Sequence, residues 1–77
     1  MNLASLFNLT HRELEILQLV LAGKSNKAIA SEVDISEKTV EFHLDNIYTK
    51  IGVRTRTMAG FWAIQHGMEA EPEESPS

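Results

Sequence analysis

An all-α fold of four short helices is what this 77-residue chain predicts. Three observations carry the prediction. Apolar residues recur three and four apart in successive stretches, the period of a half-buried helix. Glycines stand at 23, 52 and 67, just past three of those stretches, where a left-handed residue ends a helix. Hydroxyl residues precede the stretches as N-caps, and no proline interrupts any of them. Local signals and overall pattern agree, as they must in a sequence that specifies one compact fold.

The elements follow in order. Residues 1–8 form a lead-in whose Leu3, Leu6 and Phe7 can pack on a domain spanning 9–68. Thr10 and Glu13 make a capping box, each side chain serving the other's backbone N–H. Leu14, Leu17, Val20 and Leu21, with Ile16 beside them, give helix one its apolar stripe over about residues 11–22. Ser25 caps helix two, which is expected to bury Ala28, Ile29 and Val33 and to end near Glu32. Ile35 fills the turn. Ser36 caps helix three, and Glu37 in its first turn suits the positive end of the helix dipole. Val40, Leu44, Ile47 and Ile51 form its buried stripe before Gly52 stops it. Val53, Arg54 and Thr55 connect to helix four, about residues 56–66. The remainder, residues 69–77, is rich in glutamate and has the composition of a disordered tail.

Helices two and three read as a helix-turn-helix. Ala30 is small enough for two helices to cross closely, Asp34 tolerates a left-handed turn, and Val40 pins the second helix to the first. A helix held that way projects from a small domain and can enter a DNA major groove.

Composition narrows the function further. A chain this small buries only about 60% of its unfolded surface, leaving no room for a catalytic cleft with its own supporting shell. Without cysteine there is neither a disulfide nor a thiolate zinc site. His11, His43 and His66 are dispersed over separate helices, so His43 reads as a partly buried structural histidine. No nucleophile elbow, glycine-rich phosphate loop or paired catalytic carboxylates occur. The expectation is a non-enzyme without cofactor, metal or small-molecule ligand. No apolar run approaches the ~20 residues of a membrane span, and no signal-peptide pattern opens the chain, so a cytoplasmic protein is expected.

Charge is the awkward feature. The net −4 has the wrong sign for a protein that sits on phosphates. Four of the eleven acidic residues (Glu69, Glu71, Glu73 and Glu74) lie in the tail, which leaves seven acidic against seven basic residues in the domain. A neutral domain predicts modest affinity per subunit.

The runs LTHRELEIL (9–17), GKSNKAIA (23–30) and ISEKTVEFHLDNIYTKIGVRTR (35–56), with Ala59 and Ala63 ahead of Gly67 and Met68, resemble the LuxR/GerE-type helix-turn-helix domain of bacterial transcription regulators. The resemblance covers about residues 9–68. Sigma-factor region four shares the motif geometry, but the GKSNKAIA and HLDNIYTKIGV runs fit LuxR/GerE better. It implies a four-helix domain that binds double-stranded DNA as a homodimer, with helix three in the major groove and helix four at the dimer contact. RNA polymerase is a candidate further partner. Two positions depart from the family. Glu41 stands where base-reading members carry lysine, and Asp45 replaces another frequent basic contact one turn on. The Thr-Val-Glu-Phe-His form is nonetheless a variant found within the family.

The candidate contacts to DNA are Ser25, Asn26, Lys27, Ser36, Lys38, Thr39, Glu41, Phe42, Asp45, Lys50, Arg54 and Arg56. Lys38, Glu41, Phe42, Asp45 and Thr49 share the face of helix three opposite its apolar stripe. There a carboxylate can accept from cytosine N4 and a phenyl ring can meet a thymine methyl. Solvated surface is the alternative reading of both acids. Ser25, Asn26 and Lys27 open helix two, where N–H groups and dipole favour an anion. Thr39 offers a hydroxyl to a backbone oxygen, and Lys50, Arg54 and Arg56 clamp the flanking strand. If about five phosphates are neutralised per subunit, log affinity falls against log salt with a slope of about −4 to −5. On helix four, Met58 and Trp62 are the candidate dimer residues, with Ala59 and Ala63 as the inward seam; a core that wraps around the helix is the equal alternative. The competing function is an interaction module that pairs with or antagonises another regulator. Either a whole small regulator or a piece of a larger one is compatible with these residues.

Overall fold

The computed structural model describes residues 7–69, among which lie four complete helices and no strand. They are α1 (His11–Leu21), α2 (Asn26–Val33), α3 (Glu37–Ile51) and α4 (Arg56–Gln65). The first three begin where the caps predict, α4 begins at the expected position, and each ends within one residue of its expected stop. At α1 the capping box is complete. Thr10 Oγ1 accepts from the Glu13 N–H at 3.0 Å, and the Thr10 N–H donates to Glu13 Oε1 at 2.8 Å. Ser25, Ser36 and Thr55 cap α2, α3 and α4 in the same way, each accepting at 3.1 Å from the N–H three residues on.

The turn between α2 and α3 depends on one residue in the left-handed region. Asp34 has φ 56° and ψ 50°, and the Ile35 N–H then donates to Ala30 O at 3.0 Å. Asp tolerates this conformation better than branched residues do, because its short polar side chain crowds the backbone less. Arg12, on α1, closes the same corner: its Nη1 donates to Val33 O at 3.0 Å, satisfying a carbonyl at the α2 end.

One apolar cluster holds the helices together. Ile16 and Leu17 from α1, Ile29 from α2, and Val40 and Ile47 from α3 are its fully buried large side chains. Leu44 and Ile51 complete the expected α3 stripe. α3 lies against both α2 and α1, while α4 packs mainly on α1 through the fully buried Ala59 and Ala63.

Two expectations about the core are corrected. Ala28 is only half-buried, and its neighbour Ala30 is the alanine inside, since Ile29, Ala30 and Val33 form the inward arc of α2. Trp62 does not project outward with Met58. It is 9% exposed, stacked on His66 at a centroid distance of 4.1 Å, with Phe7 edge-on at 4.8 Å. The indole belongs to the same buried cluster as Ala59 and Ala63, and its rings are covered by Phe7 and His66. Phe7 thus packs on the domain as expected of the lead-in. Leu3, Leu6 and all of the acidic tail except Glu69 lie outside the described residues.

Candidate nucleic-acid interface

α3 presents two unlike faces because its apolar residues keep helical spacing across four turns. Val40, Leu44, Ile47 and Ile51 face inward, and Lys38, Glu41, Phe42, Asp45 and Thr49 are all exposed on the opposite side. Phe42 is 63% exposed, and its one ring–ring contact among the described residues is with the neighbouring His43, centroids 6.0 Å apart. The Thr49 hydroxyl donates to Asp45 O at 3.0 Å, which leaves the two carboxylates and the lysine as the outward polar groups of this face. At the start of α3 the Ser36 and Thr39 hydroxyls bond each other at 2.9 Å. His43 is half-buried, as a structural histidine would be.

The flanking positive charge is smaller than the residue count suggests. Four of the seven lysines and arginines are engaged inside the domain. Lys50 was expected to clamp a phosphate, yet its Nζ lies 2.7 Å from Glu13 Oε1. Glu13 is 3% exposed, the one buried charged residue among those described. Burial alone would push its carboxyl up, but the bonds from Lys50 and the Thr10 N–H outweigh this and hold it below the usual carboxylate value. Arg56 and Asn26, both candidates for DNA contact, meet each other instead. Arg56 Nη1 donates to Asn26 Oδ1 at 2.7 Å, and Nη2 donates to Lys24 O. This fork ties the start of α4 to the start of α2. Lys24 lies 4.0 Å from Glu32, and Arg12 pairs with Glu15 at 3.6 Å besides holding Val33 O.

Lys27, Lys38 and Arg54 are exposed, and their side chains have no hydrogen bond or ion pair among the described residues. Lys27 stands beside the exposed Ser25 cap at the α2 N-terminus, Lys38 in the first turn of α3, and Arg54 just past the α3 C-terminus. Together they bracket the acidic and aromatic face. Sequence reasoning missed the Glu13–Lys50 pair because it joins residues 37 apart. The capping box drew attention to Glu13, but nothing in its spacing says that its carboxylate also faces α3.

A second exposed surface runs along α4, where Met58, Phe61 and Ile64 are 46%, 65% and 60% exposed. Phe61 and Ile64 border a shallow groove with Val20, Leu21 and Gly60, with Arg56 and Thr57 at its polar edge. Among the described residues no group of three or more His, Asp or Glu is placed to hold a metal, and no helix is long and apolar enough to cross a membrane.

Residues 7–63 match the family described as bacterial regulatory proteins, luxR family. The uncharacterized transcriptional regulatory protein YhcZ of Bacillus subtilis is 42% identical over 65 residues, which make up 84% of this chain and 30% of that protein. The response regulator protein VraR of Staphylococcus aureus and of Staphylococcus saprophyticus is 48% identical over 60 residues, 78% of this chain and 29% of each relative. The chain therefore spans about 30% of the length of these curated relatives.

Proposed function

We propose that this chain, which belongs to the luxR family of bacterial regulatory proteins, reads double-stranded DNA with α3 and supplies the DNA-binding part of a transcription regulator. One observation carries the reading. α3 is pinned by four buried residues on one side, while the opposite side stands clear of every other element. A rigid helix with a free polar face is what a major groove accommodates. Lys38 in the first turn of α3 is the phosphate contact at one end, and Lys27 and Arg54, near where α2 and α4 begin, are those at the other. Ser25, Ser36 and Thr39 add hydroxyls near the same helix starts. Arg56 and Lys50 act through the fold: one holds the α2 N-terminus in place, the other neutralises Glu13 beneath α3. With three outward cations, the slope of log affinity against log salt is about −3 per subunit.

The exposed face of α4 supports dimerisation. Met58, Phe61 and Ile64 form an apolar stripe at three-residue spacing, the pattern of a helix that packs on a partner. A second copy meeting it places two α3 helices on one face of a duplex, and a site of two half-sites results. The site of action is then the cytoplasm.

The test is selection from a random duplex library, followed by titration of the winner against a scrambled duplex over a salt series. Enrichment of a two-half-site sequence, with affinity falling in salt, supports the reading. No enrichment at low salt ends it, and a stable complex with another regulator would then favour an interaction module built on the α4 stripe.

A further inference from the structure

Building on that reading of α3, we infer that Glu41 and Phe42 select a cytosine beside a thymine, the carboxylate accepting from cytosine N4 and the ring covering the thymine methyl. The outer face of α3 makes little sense as solvated surface. Glu41 and Asp45 stand one turn apart, a like-charge pair that weakens the helix carrying it. Neither carboxylate has a hydrogen bond or ion pair among the described residues. Phe42 lies between them in the chain, 63% exposed, with His43 its one ring–ring contact among the described residues. Two acids and a bare phenyl are therefore held outward on a rigid helix, bracketed by Lys27, Lys38 and Arg54.

Chemistry narrows what such a face can read. A carboxylate accepts hydrogen bonds and donates none, so the O6 and N7 acceptors of guanine repel it. Amino groups in the major groove are its partners, and cytosine N4 is the one not accompanied by an acceptor on the same base edge. Thymine alone carries an apolar group there. The first turns of a recognition helix reach base edges, and Glu41 and Phe42 occupy the second turn of α3. Phosphates flanking the groove are repelled by the acids, which lowers binding to unrelated sequence.

The experiment runs the library selection with the wild type, Glu41→Lys and Phe42→Ala. It then measures affinities for the wild-type winner and modified duplexes. Both positions are exposed, so thermal melts followed by circular dichroism are expected to match across the variants. The wild type should enrich cytosine at one position of each half-site, and exchanging C·G for G·C there should weaken binding about 5- to 150-fold. Glu41→Lys should reverse that preference toward guanine. Replacing the pairing guanine by 7-deazaguanine should leave wild-type affinity unchanged, because the carboxylate reads the other strand. Thymine replaced by deoxyuracil should weaken the wild type about fourfold and Phe42→Ala not at all. A winner whose sequence is indifferent to Glu41→Lys, or one weakened by 7-deazaguanine, overturns this inference and leaves DNA reading intact. Absence of any enriched duplex at low salt overturns both.

Discussion

α3 and α4 are both anchored by one buried face, and they differ in what they leave outside. α3 turns out two carboxylates, a lysine, a threonine and one phenyl ring. α4 turns out Met58, Phe61 and Ile64. Both outer faces are equally free within the domain, so packing does not explain the contrast. The α3 face is polar and directional, with groups suited to hydrogen-bonding edges. Its neighbour is apolar and non-directional, and it gains by meeting another apolar surface. The proposed function gives recognition and association to separate helices. The Arg56 fork to Asn26 and Lys24 keeps the association helix in register with the start of α2.

The largest effect should come from breaking the anchored face. Ile47 is fully buried at the centre of the α3 stripe, so Ile47→Ala should cost about 2–5 kcal/mol in urea denaturation. Phe42→Ala on the outer face should change stability by less than about 0.5 kcal/mol. Equal losses at the two positions would mean that the faces are not distinct. Next in size is the α4 stripe. Phe61→Lys should leave the melt unchanged and weaken binding to a two-half-site duplex about 100-fold, because two linked contacts become one. Binding to a single half-site should be unaffected. Loss at both duplexes would place Phe61 in the reading face and erase the contrast.

Glu13 and Lys50 supply a third, smaller test, one of the support beneath α3. Lys50→Met should leave Glu13 without its ion-pair partner and cost about 1–3 kcal/mol, discounted because the lysine is partly exposed. The sign of the pH dependence is set by Glu13 being held below its ordinary value in the fold. Its contribution is present above the unfolded value of about 4.3 and is lost as pH falls through the lower folded value. Wild-type stability should therefore drop below about pH 4.5, and Lys50→Met should show a shallower drop. The difference is read from urea midpoints between about pH 3 and 6.

Elements and anchored faces were legible because they rest on local rules. Thr10, Ser25 and Ser36 advertise helix starts, Gly23 and Gly52 their stops, and the spacing of Val40, Leu44, Ile47 and Ile51 names the buried side. Trp62 was misread because α4 is apolar almost all round, and a helix with so little contrast does not announce which residues it hides. In the fold the indole turns in beside Phe7, which arrives from the lead-in, a contact that the spacing along α4 does not reveal. Lys50 and Arg56 read as phosphate clamps in sequence, and the partners they have within the domain are not legible there for a related reason. A basic residue near a helix end looks the same in sequence whether its partner is a phosphate or a carboxylate, amide or carbonyl oxygen that the fold delivers from elsewhere in the domain.

That distinction predicts a small effect with an unambiguous readout. Lys27 is exposed and its side chain has no partner among the described residues, whereas Lys50 is bound to Glu13. Both carry one positive charge, so a count of charges treats them alike. Counterion release does not, because only a cation that displaces condensed ions from the duplex enters the salt dependence. Lys27→Ala should reduce the magnitude of the slope of log affinity against log salt by about 0.9 per subunit. It should do so on specific and scrambled duplexes equally, since a phosphate carries no sequence information. Lys50→Met, assayed at a temperature where it stays folded, should leave the slope unchanged. If the two substitutions flatten the slope alike, Lys50 leaves Glu13 for a phosphate on binding, and the buried pair is a contact of the free domain alone.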